Sequence, residues 1–252
     1  MKKIDFWQAE MIRLTLFTID SIPIDTMKGL NWIEQITGSM PDSQNSEPKI
    51  IRYEESGKIN DNINLIISMQ KDRIDFVIAP LINTNFSLSD VPNIGLFNSD
   101  LNAYIDLILE LFPKIDFKIK RIAYGAKLFG KVIDKVDGYK KISSYVKDLK
   151  IDPINSYDLN YTINKPRQEN IENQTMFINR LSKWAVLTRK LFAVHIDSLK
   201  EQETDTLHAC SLELDVNTDQ NSTQAIEKNM LKKISNKLAN LAIEISQSGD
   251  IK

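Results

Sequence analysis

Residues 117–129 read FKIKRIAYGAKLF, and the spacing inside them decides the fold class. Ile122, Tyr124, Ala126 and Leu128 recur at every second position, the period at which a strand sends side chains to one face. The adjacent Lys120 and Arg121, together with Gly125, predict a bulge within that strand. Upstream, residues 10–19 carry the same alternation, with Ile12, Leu14 and Leu16 set against Arg13, Thr15 and Phe17.

Each of these two strands opens a similar series. After the first, Thr26, Leu30, Ile33 and Ile36 keep helical spacing, with Asp25 as the expected N-cap and Gly38 as the stop. Residues 40–47 (MPDSQNSE) have the punctuation of an exposed loop. Strands are expected at 50–54, 63–69 and 74–79 with hairpin connections, then a loop over 80–98. A helix over 100–112 is capped by Ser99 or Asp100 and stopped by Pro113. After the second strand come a helix at 138–149, strands at 157–164, 177–191 and 207–217, and a closing helix at 224–245. A charged connection with Glu201, Glu203 and Asp205 joins the last two strands. Each half therefore runs strand, helix, three strands, helix. The expectation is an α+β protein built by internal duplication, with halves 1–113 and 114–252 packed as one compact unit and antiparallel sheets backed by helices on one side.

Composition limits the classes of function. The 252 residues are 42% hydrophobic and 26% charged, enough apolar material for a substantial core, so disorder is not expected. Cys210, the single cysteine, has no disulfide partner within the chain, and Asp5 and Glu10 interrupt any secretory signal. A reducing, cytoplasmic location is expected, and no membrane segment, because no run of 18 apolar residues occurs. The frequent Ile, Lys and Asn residues suggest an AT-rich bacterial or phage genome. Net charge is -2 but unevenly spread: residues 1–110 hold 9 basic and 16 acidic side chains, whereas 111–150 hold 11 and 4. The latter basic block attracts phosphates or faces the acidic first half.

Catalytic residue types are sparse. His195 and His208 are the only histidines, and with Cys210 they fall short of a zinc set. His208, Cys210, Leu212, Leu214 and Val216 share one strand face, which reads as core, so Cys210 is expected to be a small buried hydrophobe. Glu213 and Asp215 on the opposite face invite a metal, but cross-strand pairing with Lys183 and Arg189 is the better reading. Pro41, Asp42, Glu47 and Lys49 spell a nuclease-like string that is too short and sits in a loop. Gly125, Gly130 and Lys131 have the spacing of a phosphate-binding loop, but Val132 stands where a Ser or Thr would hold magnesium. No cofactor or metal is expected.

Two clusters interleave cations with aromatics. The first gathers Lys118, Lys120, Arg121 and Lys127 beside Tyr124; the second gathers Arg180, Lys183 and Trp184. Such residues suit single-stranded nucleic acid or a protein partner. The leading expectation is a non-catalytic interaction subunit, adaptor or inhibitor, with a protein partner or a homo-oligomer engaged through a sheet face or the last helix. Nucleic-acid binding through the basic block is the first alternative, and an enzyme of unknown class the second.

Overall fold

The computed structural model describes residues 6–81, 91–195 and 200–249. Ten strands form one antiparallel sheet, so the α+β class holds. They are β1 (Gln8–Thr18), β2 (Ser43–Glu47), β3 (Arg52–Asn60), β4 (Ile63–Gln70), β5 (Arg73–Pro80), β6 (Ile119–Val132), β7 (Asn160–Asn164), β8 (Arg167–Ile171), β9 (Gln174–His195) and β10 (Lys200–Thr218). Their spatial order is β2-β3-β4-β5-β1-β6-β10-β9-β7, with β8 also paired to β9. The helices are α1 (Ile24–Gly29), α2 (Trp32–Thr37), α3 (Asn102–Leu109), α4 (Lys135–Tyr145) and α5 (Lys228–Ser248).

Period-two patterning builds this sheet. Ile12, Leu14 and Leu16 of β1, Ile74, Phe76 and Ile78 of β5, and Cys210, Leu212 and Val216 of β10 are all fully buried. They join one apolar cluster with Met27, Trp32, Ile33, Ile105, Ile142 and the inner side of α5, so all five helices back the same face. Each fully buried aliphatic side chain stabilises the fold by about 1.5–3 kcal/mol relative to exposure. The seam at the centre is the pairing of β1 with β6, in which Ile12 opposes Ala126 and Leu14 opposes Tyr124. Trp7, just before β1, crosses the seam: its indole donates to the Ser246 carbonyl at 3.0 Å and packs edge-on to Trp184.

Several expectations need correction. The helix expected from 25 onward is two short ones, broken at Asn31, whose φ of 47° is the left-handed conformation that Asn tolerates better than most residues. Pro23, and not Asp25, precedes α1, and no side chain caps it. Gly38 does end α2, at φ 73°. The expected loop 40–47 contains β2, held by pairing with β3 despite its polar sequence. The strand expected at 157–164 is β7, which starts at Asn160, and a further strand that the pattern does not predict, β8, follows it end to end along β9. Gly57 lies inside β3 and not in a connection. The bulge forms at Lys120, skipped where Phe17 opposes Arg121 and Thr18 opposes Ile119, while Gly125 keeps regular register opposite Arg13. A second bulge, at Glu10, was not anticipated.

Of the loop expected over 80–98, residues 82–90 lie outside the described residues, as do 196–199 of the expected charged connection and the side chains of His195, Glu201 and Glu203. From Lys200 onward that connection is strand and not loop, because β10 pairs with β9 through Glu201, Glu203 and Asp205. Gly249 ends α5 at φ 77°, and a Cβ there would sit 2.0 Å from the Tyr145 carbonyl oxygen, so only glycine fits. Among the described residues no helix is long and apolar enough to cross a membrane.

Candidate functional site

With the helices on one side, the opposite face of the sheet is accessible over its middle, while at one end Val91, Phe129 and Leu207 form a small buried cluster of their own. In its middle, Arg13 of β1 opposes Gly125 of β6, which opposes Asp215 of β10, which opposes Leu181 of β9. One row along, Lys127 opposes Glu213, Glu213 opposes Lys183, and Lys183 opposes Thr162 of β7. These residues enclose a shallow concavity of about 380 Å³. Gly125 is its floor, with the Arg13 guanidinium lying over it at ordinary van der Waals distance.

The charges on this face are arranged largely in pairs. Glu10, projected by its bulge, receives Lys127 at 3.1 Å and also Arg189. Lys183 lies 3.8 Å from Glu213, whereas Arg189 pairs with Glu10 and not with Glu213 or Asp215. Asp75, nearly buried, accepts a 2.6 Å hydrogen bond from the Thr15 hydroxyl and another of 2.6 Å from Arg73 Nε, with Arg13 at 3.9 Å. Asn217 donates to Asp215 at 2.9 Å. Arg121 differs, because no hydrogen bond or ion pair holds its guanidinium among the described residues. It rests instead on the Phe17 ring, 4.6 Å from the centroid. Burial lowers its pKa, and neighbouring Arg73 adds to that, against the pull of Asp215 and Asp219.

The seven side chains singled out from the sequence thus divide. Lys127 and Lys183 line the concavity and Arg121 lies farther along the same face; Lys120 occupies the bulge, and Lys118 is exposed just before β6. Arg180 and Trp184 leave the surface set. Arg180 is buried on the helix side, 3.4 Å from Glu244 of α5. Trp184 is fully buried, stacked on Tyr145 at 5.5 Å, its indole donating to the Ser182 hydroxyl at 2.9 Å. Sequence reasoning missed Arg13, Arg73 and Glu10 as members of the face. The alternation of β1 marked Arg13 as outward, but only the strand order brings it beside Gly125 and Asp215.

The remaining chemical candidates are structural. Burial pushes the Cys210 thiol up to about 12, and its Sγ lies 3.5 Å from the Gly138 carbonyl. His208 lies 3.1 Å from the Thr188 hydroxyl. Gly125, Gly130 and Lys131 all fall inside β6, so their spacing makes no phosphate loop. Among the described residues no group of three or more His, Cys, Asp and Glu side chains is placed to hold a metal. No protein-family model matches the chain, and no curated protein is significantly similar to it.

Proposed function

We propose that this chain is a non-catalytic interaction protein, a subunit, adaptor or inhibitor, that holds a protein partner on the open face of its sheet. The observation that supports this best is the helix-free face itself, where Arg13, Lys127, Lys183, Glu213 and Asp215 range across the four central and adjoining strands β1, β6, β10 and β9. Charges of both signs in fixed register suit a complementary protein surface, which gains specificity and association rate from such a pattern. The last helix is a weaker candidate, since Met230, Leu231, Ile234, Leu238, Leu241, Ala242 and Ile245 are all consumed by the chain's own core. The strand order also supports a duplicated plan with halves 1–113 and 114–252. In each half the first strand pairs with the last strand of the meander that follows it, β1 with β5 and β6 with β10.

The test is affinity purification of the tagged chain from its host, beside a Lys127→Glu, Lys183→Glu double variant with an unchanged melting temperature. A stoichiometric protein partner lost in the variant is the expected result, and a partner retained at full yield refutes the role of this face. Self-association through the same face would show as a concentration-dependent mass in sedimentation. A second reading, nucleic-acid binding, is favoured by exposed Lys118 just before β6 and by Lys120, Arg121 and Lys127 within it.

A further inference from the structure

We infer that the outer edge of β2 pairs with the β2 edge of a second copy of this chain, antiparallel about a two-fold axis at Asn45, and so forms a weak homodimer. This does not rest on the reading of the open face and concerns a different part of the sheet. β2 ends the strand order, and among the described residues no strand lies beyond it. The N–H and C=O groups of alternate residues on that side therefore face outward as a template for another strand. Sheets commonly blunt such an edge with charge or with a cover. Here Gln44 and Asn45 are exposed, and large apolar side chains stand free beyond both ends of the strand, Met40 at 72% exposure and Ile50 at 61%.

The occupant follows from the order of residues around Asn45. In an antiparallel pair centred there, Asn45 faces itself, Gln44 faces Ser46 of the second copy, and Ser43 faces Glu47. No like charges stand opposite one another, and amides and hydroxyls are left to hydrogen-bond across the pair. Met40 and Ile50 are equally far from Asn45, so the two-fold brings Met40 of one copy to the Ile50 end of the other, at both ends of the contact. Asp42 and Lys49 are related in nearly the same way. Both are exposed, and neither has an ion-pair partner among the described residues, so each reaches its opposite charge in the second copy. An unrelated partner would have to supply the same order of apolar, acidic, polar, basic and apolar residues in reverse, whereas a second copy supplies it by symmetry. Beside the strand, Lys28, Gln44, Ser46 and Tyr53 border a recess of about 250 Å³ on the helix side. Gln44 of the second copy, opposite Ser46 and so on the same face, extends over it. The axis stands perpendicular to the sheet, so two ten-stranded sheets continue into one, with the helices of both copies on one side and both concavities on the other.

The test is sedimentation equilibrium of the purified full chain up to about 0.5 mM, a concentration suited to a contact well below the roughly 1,600 Å² of a standard interface. The expected result is a monomer–dimer equilibrium that Asp42→Lys or Lys49→Asp alone weakens roughly tenfold, by setting like charges together at both ends. An equal mixture of the two variants regains the dimer, because each copy then meets the opposite sign. Both positions are exposed, so neither substitution disturbs the fold. A chain that stays monomeric at the highest concentration, a dimer unmoved by either variant, or a mixture that associates no better than its components each overturns the inference. A dimer dissolved by Lys127→Glu, Lys183→Glu and kept by the β2 variants would overturn it in favour of the open face, so the two readings fail separately.

Discussion

Lys183 and Trp184 are consecutive in β9 and sit in opposite environments. Lys183 extends over the open face toward Glu213, while Trp184 is sealed between Tyr145 and Trp7 under the helices. The same division separates Arg180 from Leu181, and Tyr124 from Gly125. A basic and aromatic cluster in one dimension is thus two sets in three, one for packing and one for contact. What the contrast teaches is that strand parity has to be settled before a cluster is read as a surface.

The contrast can be broken most severely at Trp184. Replacement by Ala should cost about 3–5 kcal/mol, measured by denaturant unfolding, because it leaves a large cavity in the core. Loss of under 1 kcal/mol would mean that the two faces are not chemically distinct. Arg180→Ala should cost less, about 2 kcal/mol, since Glu244 keeps Arg167 at 3.1 Å and partial access to water.

A pH titration of stability sharpens the comparison between two carboxylates on the helix side. Burial raises the Glu55 pKa, although the Ile33 and Trp32 amides partly offset it. Glu169 is held below its ordinary value, because Lys237 and Arg167 outweigh the opposing effect of burial. A raised folded pKa means that the folded state binds the proton more tightly, so Glu55 adds stability as pH falls from neutral through that value. A lowered one means the reverse, so the Glu169 contribution is lost as pH falls further through its folded pKa. Stability should rise and then fall on acidification, and Glu55→Gln should remove the rise while leaving the fall. A wild-type profile without the initial rise would contradict the raised pKa of Glu55. The smallest effect is expected at Lys183→Ala, within about 1 kcal/mol, because its partner Glu213 is exposed and well solvated. A larger loss in thermal unfolding would show that the open face carries the fold as well as contacts.

Much of the fold was legible because its main elements obey simple periods. Strands β1, β4, β5, β6 and β9 and helices α3, α4 and α5 all emerge within a few residues of where alternation and caps put them, whereas β10 starts at Lys200, inside the stretch read as a charged connection. β2 was not legible, since SQNSE has no apolar alternation and is a strand only because β3 offers it an edge. The break at Asn31 was equally hidden: Glu55, from a different strand, accepts the Ile33 amide at 3.1 Å and does the work a local cap would have done. The candidate site was legible in part. Alternation sends Lys127, Lys183, Glu213 and Asp215 to one side of their strands. The joining of Arg13 and Glu10 to them depends on β1 lying against β6, a pairing between distant segments that no local pattern encodes.

That seam has a consequence for biosynthesis. β1 is made early, and β5 can close one of its edges soon after, but the other edge waits for β6, roughly a hundred residues later. At about 5–20 residues per second, the interval lasts on the order of 5–20 s on the ribosome. During it a strand carrying Ile12, Leu14 and Leu16 offers its backbone to any neighbouring chain, the situation that edge-strand aggregation exploits. A nascent chain stalled before Ile119 should therefore depend on chaperones far more than the finished protein does.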